Sequence, residues 1–284
     1  MRILFFAILT SFIALISPVN AQSIPDASNV KLDGPLRHAD FSSDLGRFSV
    51  RWQRAAEDCF GTSPSRAVAD AASTVNRALS SAHFSSRIKA REWSIVFTDE
   101  AAAQSQFPSS ISRGRHPGFM IPPNNIYIIT QYVTGDCNKG GSGADAELAR
   151  VLLHEMGHVM EFLILGDSFG GDAERAEGFA SWFEEYSSNY SSLISHGAIH
   201  AQQVSLAQSL LPNIAPFSGR FSGTAGEYAI AALVFKAYVK KRGVSGLMEI
   251  YDDMISRGVS FTDALAKAGW DQQQVVKGVN SAAS

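Results

Sequence analysis

The sequence contains little cysteine, shows no strong excess of either charge and, after its first 21 residues, contains no long hydrophobic run. Only two cysteines occur in 284 residues, and they are not spaced as a CxxC redox or zinc motif. Cys59 and Cys137 both lie in loop-like stretches, which favours one disulfide between them over two separate thiols. The 24 basic and 27 acidic residues give a net charge of −3, so the composition gives no reason to expect a nucleic-acid partner.

The N-terminus carries the one long apolar stretch. Arg2 precedes an apolar run from Ile3 to Ile16, and the small residue Ala21 ends the stretch. This order is typical of a secretory signal peptide, and the run is too short to cross a membrane comfortably. We therefore predict a signal peptide over residues 1–21, cleaved after Ala21, and a secreted or periplasmic protein; an uncleaved anchor is the alternative. No later run reaches the roughly 18 apolar residues of a membrane span, so no stable membrane insertion is expected after cleavage.

The order of the predicted elements indicates an α+β fold. Residues 22–92 are predicted as an N-terminal helical arm or cap, with two helices between Phe48 and about Ser86. Two short β-branched and aromatic runs, 93–100 and 124–130, predict strands. Because strands come before helices, we predict one domain over 93–284, with a small mixed sheet followed by a mainly helical part. The helical patterns of that part lie at about 145–165, 172–190, 227–241, 244–256 and 261–268.

The first of these helices contains the sequence VLLHEMGHVME, which places three polar side chains in an apolar run. A helix turns about 100° per residue, so His154 and His158 lie on one face, one turn apart. Both imidazoles can therefore bind the same ion, while Glu155 lies beside that face and can reach a water on the metal. The apolar neighbours indicate a buried helix, and buried ionisable groups need partners. The HExxH motif therefore predicts a zinc site with Glu155 as general base.

A catalytic zinc ion takes three protein ligands and keeps one open position, so a third ligand is required. The pattern HExxHxxGxxH does not apply, because Glu161 and Ile164 stand at its glycine and last histidine positions. Glu177 follows His158 after 18 residues, a gap that fits a helix end, a turn and the start of a second helix packed against the first. Glu177 is therefore the favoured third ligand, and Glu161, near the same face as His154, is its rival.

The two motifs together resemble the gluzincin metallopeptidases. HEMGH, 18 residues and then EGFASWFE is similar to the aminopeptidase N family, whose pattern is HExxH, 18 residues and a glutamate within NEGFAxWxE; Ala176 replaces the asparagine. The resemblance implies a zincin-like fold and a Zn²⁺ cofactor held by His154, His158 and Glu177. It also implies a peptide or protein substrate, hydrolysed when Glu155 assists the attack of a zinc-bound water on the peptide bond.

Two further residues are predicted to support this chemistry. Glu184 lies two turns after Glu177 on the same helix face, where it can orient the ring of His154 or His158; a solvated glutamate is the alternative. Tyr228 is the candidate that stabilises the oxyanion, because the family uses a tyrosine downstream of its third ligand. His196 and His200 are the other candidates for that donor.

The stretch before the motif helix bears on the substrate. In the superfamily an edge strand pairs with the substrate backbone, and NNIYIIT is the candidate strand here. The aminopeptidases place GxMEN just ahead of it to hold a free amine, but Ile121 and Pro122 replace the Glu-Asn in GFMIPP. An endopeptidase is therefore expected rather than an aminopeptidase. The alternative function is a catalytically silent zinc-binding domain that binds a protein or cell-wall partner.

Overall fold

The computed structural model describes residues 36–81, 88, 91–107, 117–134, 142–211, 216–217 and 221–283. The predicted signal peptide lies outside this part of the chain, so its cleavage and the secretion of the protein stay predictions. Cys59 is disulfide-bonded; Cys137, the other cysteine of the chain, lies outside the described residues. Among the helices of the described residues, none is both long enough and apolar enough to cross a membrane.

Five strands of the described chain form one mixed sheet in the order β1-β2-β3-β5-β4. The hairpin of β1 and β2 is antiparallel, β2 pairs with β3 and β3 with β5 in parallel, and β4 pairs antiparallel with β5. β4 is therefore the terminal strand on the side opposite the hairpin. The strands are β1 (Leu36–Ser43), β2 (Gly46–Gln53), β3 (Arg91–Thr98), β4 (Gly118–Ile121) and β5 (Asn125–Ile129).

Helices cover both faces of the sheet, and the larger core lies between the sheet and the long helices. On β3, Ile95 and Phe97 face this main core, while Val96 faces a smaller cluster that includes Phe119 and Tyr127. A strand segment buried on both faces has a continuous apolar sequence, as Ile95, Val96 and Phe97 have here. The helices before the motif are α1 (Arg54–Glu57), α2 (Pro64–Ser81), α3 (Glu100–Gln106) and α4 (Thr130–Thr134).

The motif helix, α5 (Ser142–Leu165), connects the sheet to the helical part of the chain. It ends in a 3-10 turn, Gly166–Phe169, where Gly166 adopts a positive φ of 55°. The next helix packs between α5 and the long helix that follows later in the chain. The remaining helices are α6 (Ala173–Ser188), α7 (His196–Ala207), α8 (Ala225–Arg257), α9 (Phe261–Lys267) and α10 (Gln272–Ala282).

The α+β prediction is confirmed, including the position of the motif helix between a small mixed sheet and a mainly helical part. The predicted break in the long C-terminal helix also occurs, because Gly243 of α8 has non-helical dihedrals, with φ 70°. The helical prediction from Phe48 is wrong over β2, where Phe48, Val50 and Trp52 alternate as the buried face of a strand. The predicted boundary after residue 92 falls inside one sheet. β2 lies before the boundary and pairs with β3, which continues past it.

Candidate metal centre

Two imidazoles and one carboxylate converge between α5 and α6. Glu177 Oε2 lies 3.3 Å from His154 Nε2 and 3.5 Å from His158 Nε2. All three side chains are buried, and their ligand atoms lie within 4.8 Å of one another. Among the described residues, this is the group of histidine, cysteine and carboxylate side chains whose geometry suits a metal ion.

The two distances from Glu177 to the imidazoles fit a tetrahedral zinc ion. Bonds of about 2.0–2.1 Å at tetrahedral angles place neighbouring ligand atoms about 3.3 Å apart, close to the two distances observed. His158 Nε2 and Glu177 Oε1 are buried and have no hydrogen-bond partner among the described residues. An unsatisfied buried polar atom costs about 1–3 kcal/mol, and a cation bound at this point would satisfy both groups. The residues present therefore fit the ion that the sequence predicts.

The local sequence brings Glu177 into place by fixing where α6 begins. The side chain of Asp172 caps this helix by accepting from the backbone N–H of Arg175 over 2.9 Å, an arrangement that satisfies one of the free N–H groups of the first turn. Gly157 then lets the two helices approach closely, because a Cβ at this position would lie 3.0 Å from the Cα of Ala180. The glycine inside HEMGH thus sets the distance at which Glu177 meets the two imidazoles.

Charge pairing dominates the electrostatics of these side chains. Burial alone lowers the pKa of His154, but hydrogen bonds to Glu177 and Glu184 and the charge of Glu155 raise it to about 10. Burial raises the pKa of Glu177, but the two histidines outweigh this effect and lower it. Glu177 is thus held as a carboxylate, the form that binds a cation.

The backbone of β4 covers Glu155. A Cβ on Gly118 would lie 3.0 Å from Glu155 Oε1, so only glycine permits this contact without a shift of the neighbouring atoms. Glu155 is itself buried on α5. The prediction that NNIYIIT forms the edge strand is wrong, because β5 pairs with strands on both sides and β4 is the terminal strand. The segment GFMI, and not NNIYIIT, therefore lies at the sheet edge beside the general-base candidate.

Glu184 links the metal centre to a second charged group. Its Oε2 lies 3.6 Å from His154 Nδ1, and its Oε1 accepts from Arg150 Nε over 2.8 Å. Arg150 also contacts Glu147, over 3.3 Å. Burial raises the pKa of Glu184, but Arg150 and His154 outweigh burial and lower it. The structure therefore places Glu184 beside the ring of His154, away from solvent.

Tyr228 lies next to the ligand group, in the first turn of α8. Burial raises its pKa, and the neighbouring Glu177 and Glu155 raise it further, with the hydroxyl hydrogen-bonded to Glu177. The phenol is therefore protonated and close to both carboxylates. The other candidate donors lie elsewhere. His196 Nε2 and His200 Nδ1 lie 3.6 Å and 3.4 Å from Glu185 Oε1. The structure thus brings Tyr228 to the site and directs both histidines to a separate cluster.

Glu161, the rival third ligand, is occupied by other partners. Its Oε1 accepts from the hydroxyl of Tyr251 over 2.6 Å and lies 3.3 Å from Nε of the buried Arg175. Arg175 also donates to the carbonyl oxygen of Phe169 in the turn between α5 and α6. Glu161 therefore fixes this turn and is not part of the ligand group.

Sequence reasoning missed Arg150 and a cavity next to the site. Arg150 precedes His154 by four residues, so the helical spacing that aligned the two histidines could also have placed Arg150 on the same face. The cavity has a volume of about 630 Å³ and reaches from Arg150 and Glu184 to Tyr228. Its walls include α7, a helix that was not predicted, so no signal in the sequence analysis pointed to it.

No protein-family model matches this chain, and no curated protein matches it. Among solved structures, the chain is similar to a crystal structure of a mutant M1 zinc metallopeptidase from Deinococcus radiodurans, at 13% sequence identity and a TM-score of 0.48. The match covers 88% of this chain and 52% of that chain. This chain therefore spans about half the length of that metallopeptidase.

Proposed function

We propose that this protein is a zinc-dependent peptidase that cleaves peptide bonds within a chain and acts after export. The observation that carries the proposal is the convergence of His154, His158 and Glu177, with Glu155 at the edge of the same group. A purely structural zinc site is closed by four protein ligands, whereas three ligands leave a position for water and substrate. In this proposal Glu155 is the general base and Tyr228 is the oxyanion donor.

The residues have distinct roles in this proposal. Bound Zn²⁺ would act as a Lewis acid and lower the pKa of a coordinated water to about 7. Glu155 accepts the proton of the attacking water and passes it to the amine that leaves. Tyr228 keeps its proton, because its pKa is raised by burial and two carboxylates, and it donates a hydrogen bond to the oxygen of the scissile carbonyl. Glu184 holds the ring of His154, with the charge of Arg150 behind it.

The sheet edge supports an internal cleavage site. β4 is the terminal strand and passes directly over Glu155. An extended substrate that adds to this edge as a further strand would pass the general base. Ile121 and Pro122 follow Met120 where the related aminopeptidases place a glutamate and an asparagine, so these positions offer no carboxylate for a free amine. The proposed substrate is therefore a peptide that extends to both sides of the cleaved bond.

Zinc analysis of purified variants tests the metal centre. We expect equimolar zinc in the wild-type protein and a strong loss in Glu177→Ala. Glu161→Gln is the matched control, because Glu161 is an equally buried glutamate of the same region that bonds to Tyr251 and Arg175 instead. Full zinc retention by Glu177→Ala, or loss in Glu161→Gln alone, would contradict the proposed ligand set.

Glu155→Gln separates the peptidase from its alternative, a zinc-binding domain that holds a protein or cell-wall partner without cleaving it. The amide keeps the size of the side chain but cannot take up the proton. We expect this variant to retain zinc and to lose hydrolysis of a blocked peptide library. If the zinc-loaded wild-type protein cleaves none of the library, the silent binding domain becomes the better description.

A further inference from the structure

A cavity of about 630 Å³ lies next to the metal centre, although the proposed ligands themselves are not part of its wall. Glu184 and Tyr228 line it, and the same two residues contact the ligands His154 and Glu177. A substrate whose scissile carbonyl meets Tyr228 would therefore have a neighbouring side chain at the mouth of this cavity. Its volume falls within the roughly 300–1,000 Å³ of pockets that bind small ligands, which leaves room for a large side chain.

Most of the cavity wall is apolar. Ile194 and Ile199 lie buried in it, and Ala229 contributes from α8. Leu193 and Leu206 also line it, although they are 46% and 36% exposed and belong to the few large hydrophobic side chains exposed on the described chain. Burying apolar area yields about 25 cal/mol per Å², so a ligand that covers these two leucines gains affinity without new polar contacts.

The charged groups of the wall are already paired. Arg150 contacts Glu184 at 2.8 Å and Glu147 at 3.3 Å. Its guanidinium is therefore engaged, and an acidic side chain entering the cavity would lose hydration without gaining a free cation. Two carboxylates, Glu147 and Glu184, surround one guanidinium, so a basic side chain is the alternative ligand group for this cavity. A binding test must therefore compare a basic side chain with an apolar one.

The wall formed by α7 is held firmly in place. Gln203 Nε2 donates to the carbonyl oxygen of Ser181 over 3.0 Å, which joins α7 to α6 beside the cavity. On another face of α7, His200 lies 3.4 Å from Glu185, which also pairs with Lys236 of α8. The cavity is thus bounded by helices that are bonded to one another, as a pocket with a fixed shape requires.

From this geometry we propose that the cavity is the specificity pocket of the site and receives a large apolar side chain of the peptide, preferably aromatic, next to the cleaved bond. The inference rests on the proposed function, because the peptide is the ligand of that site. Aromatic side chains bury about 150–250 Å² each, which suits a wall that is mostly apolar. Ala198 lines the cavity with an exposed side chain and is the position where the pocket can be filled.

Peptide binding to the full chain carrying Glu155→Gln tests the pocket without requiring turnover. The ligands are blocked hexapeptide mixtures in which one position at a time holds Phe, Leu, Ala, Lys or Glu. At one position we expect Phe to lower Kd at least about tenfold relative to Ala, since a single methylene in an apolar pocket already discriminates about tenfold or more. Adding Ala198→Trp should abolish this difference. Ala201→Trp is the matched control on the same helix, exposed and outside the cavity wall, and should preserve it.

Three results would overturn the pocket: equal affinity for Phe and Ala at every position, tighter binding of Lys than of Phe, or a preference unchanged by Ala198→Trp. The proposed function is judged separately, by cleavage of the same mixtures with the zinc-loaded wild-type protein. A Phe preference in binding without any cleavage would support the pocket and contradict the peptidase. Cleavage without a side-chain preference in binding would support the peptidase and contradict the pocket.

Discussion

Arg150 and Glu184 join α5 to α6 through a hydrogen bond of 2.8 Å, and the second oxygen of Glu184 lies 3.6 Å from His154 Nδ1. The other ring nitrogen of His154 faces Glu177 at 3.3 Å. One imidazole is therefore held from both sides, with Nε2 directed at the ligand group. This arrangement is how metal-binding histidines are commonly oriented, by a carboxylate on the nitrogen that does not bind the ion.

Replacing Glu184 with glutamine should weaken zinc binding at least about tenfold, because the carboxylate that orients His154 loses its charge. Competition with a chelator of known affinity measures the change. Glu185→Gln is the matched control, since the neighbouring carboxylate faces His200 and Lys236 on another side of α6. Identical zinc affinities for Glu184→Gln and the wild-type protein would show that this glutamate plays no part in orienting the ligand.

Tyr228→Phe should reduce kcat by about 10²–10³-fold, the effect of removing one donor from a developing oxyanion. Zinc content should stay unchanged, because the phenol is not among the ligand atoms. His200→Ala tests the rival donor and should leave kcat near the wild-type value, since His200 contacts Glu185 and Lys236 instead. An unchanged kcat in Tyr228→Phe would remove this tyrosine from the mechanism.

Gly157→Ala, a substitution within the HExxH motif, should weaken zinc binding and lower the stability of the protein. The added methyl group would lie 3.0 Å from the Cα of Ala180 and 3.3 Å from the Cβ of Phe183, so α6 must move away from α5. Overpacking of this kind costs about 1–3 kcal/mol, and it displaces Glu177 from the imidazoles. We expect a lower free energy of unfolding in urea together with weaker zinc binding. Gly143→Ala is the control on the same helix, because nothing lies within 4 Å of its added methyl.

Arg175→Met should destabilise the protein by about 3–5 kcal/mol, because it leaves the buried Glu161 without its cation. Arg175 lies 3.3 Å from Glu161 and is itself fully buried. Urea unfolding measures the loss. Adding Glu161→Gln should restore part of it, since the uncompensated charge is then gone. If the double variant loses as much stability as the two single variants lose together, the two residues are not coupled.

Glu174 should make the stability of the protein decrease from acidic to neutral pH. Burial raises its pKa from the ordinary value of 4.5 to about 7, although the backbone N–H of Phe217 donates to it. The folded chain therefore binds this proton more tightly than the unfolded chain, and the free energy of unfolding falls as the pH rises through that window. Glu174→Gln cannot ionise and should gain stability relative to the wild-type protein between pH 5 and pH 8, as measured by urea unfolding at each pH. A constant difference between the two proteins across that range would contradict the shift.

Local patterns in the sequence predicted the elements whose structure depends on near neighbours. The face shared by His154 and His158 follows from helix geometry alone. The predicted helix at 172–190 also forms, where Asp172 caps α6 through contacts that involve only the next three residues. Gly243 interrupts α8 for a similar reason, through its own dihedral angles. β2 was misassigned although Phe48, Val50 and Trp52 alternate in the sequence, because the surrounding polar residues also fit a helix.

The sequence by itself determined that two imidazoles and a base lie on one buried helix, and its spacing pointed to Glu177 as the third member. Only the tertiary structure decided that β4 rather than β5 forms the sheet edge over Glu155, because strand order depends on pairing between distant segments. It also decided that Glu184 reaches Arg150 and that α7 encloses a cavity beside Tyr228. These contacts join residues from separate helices, and no local periodicity records which faces of those helices meet.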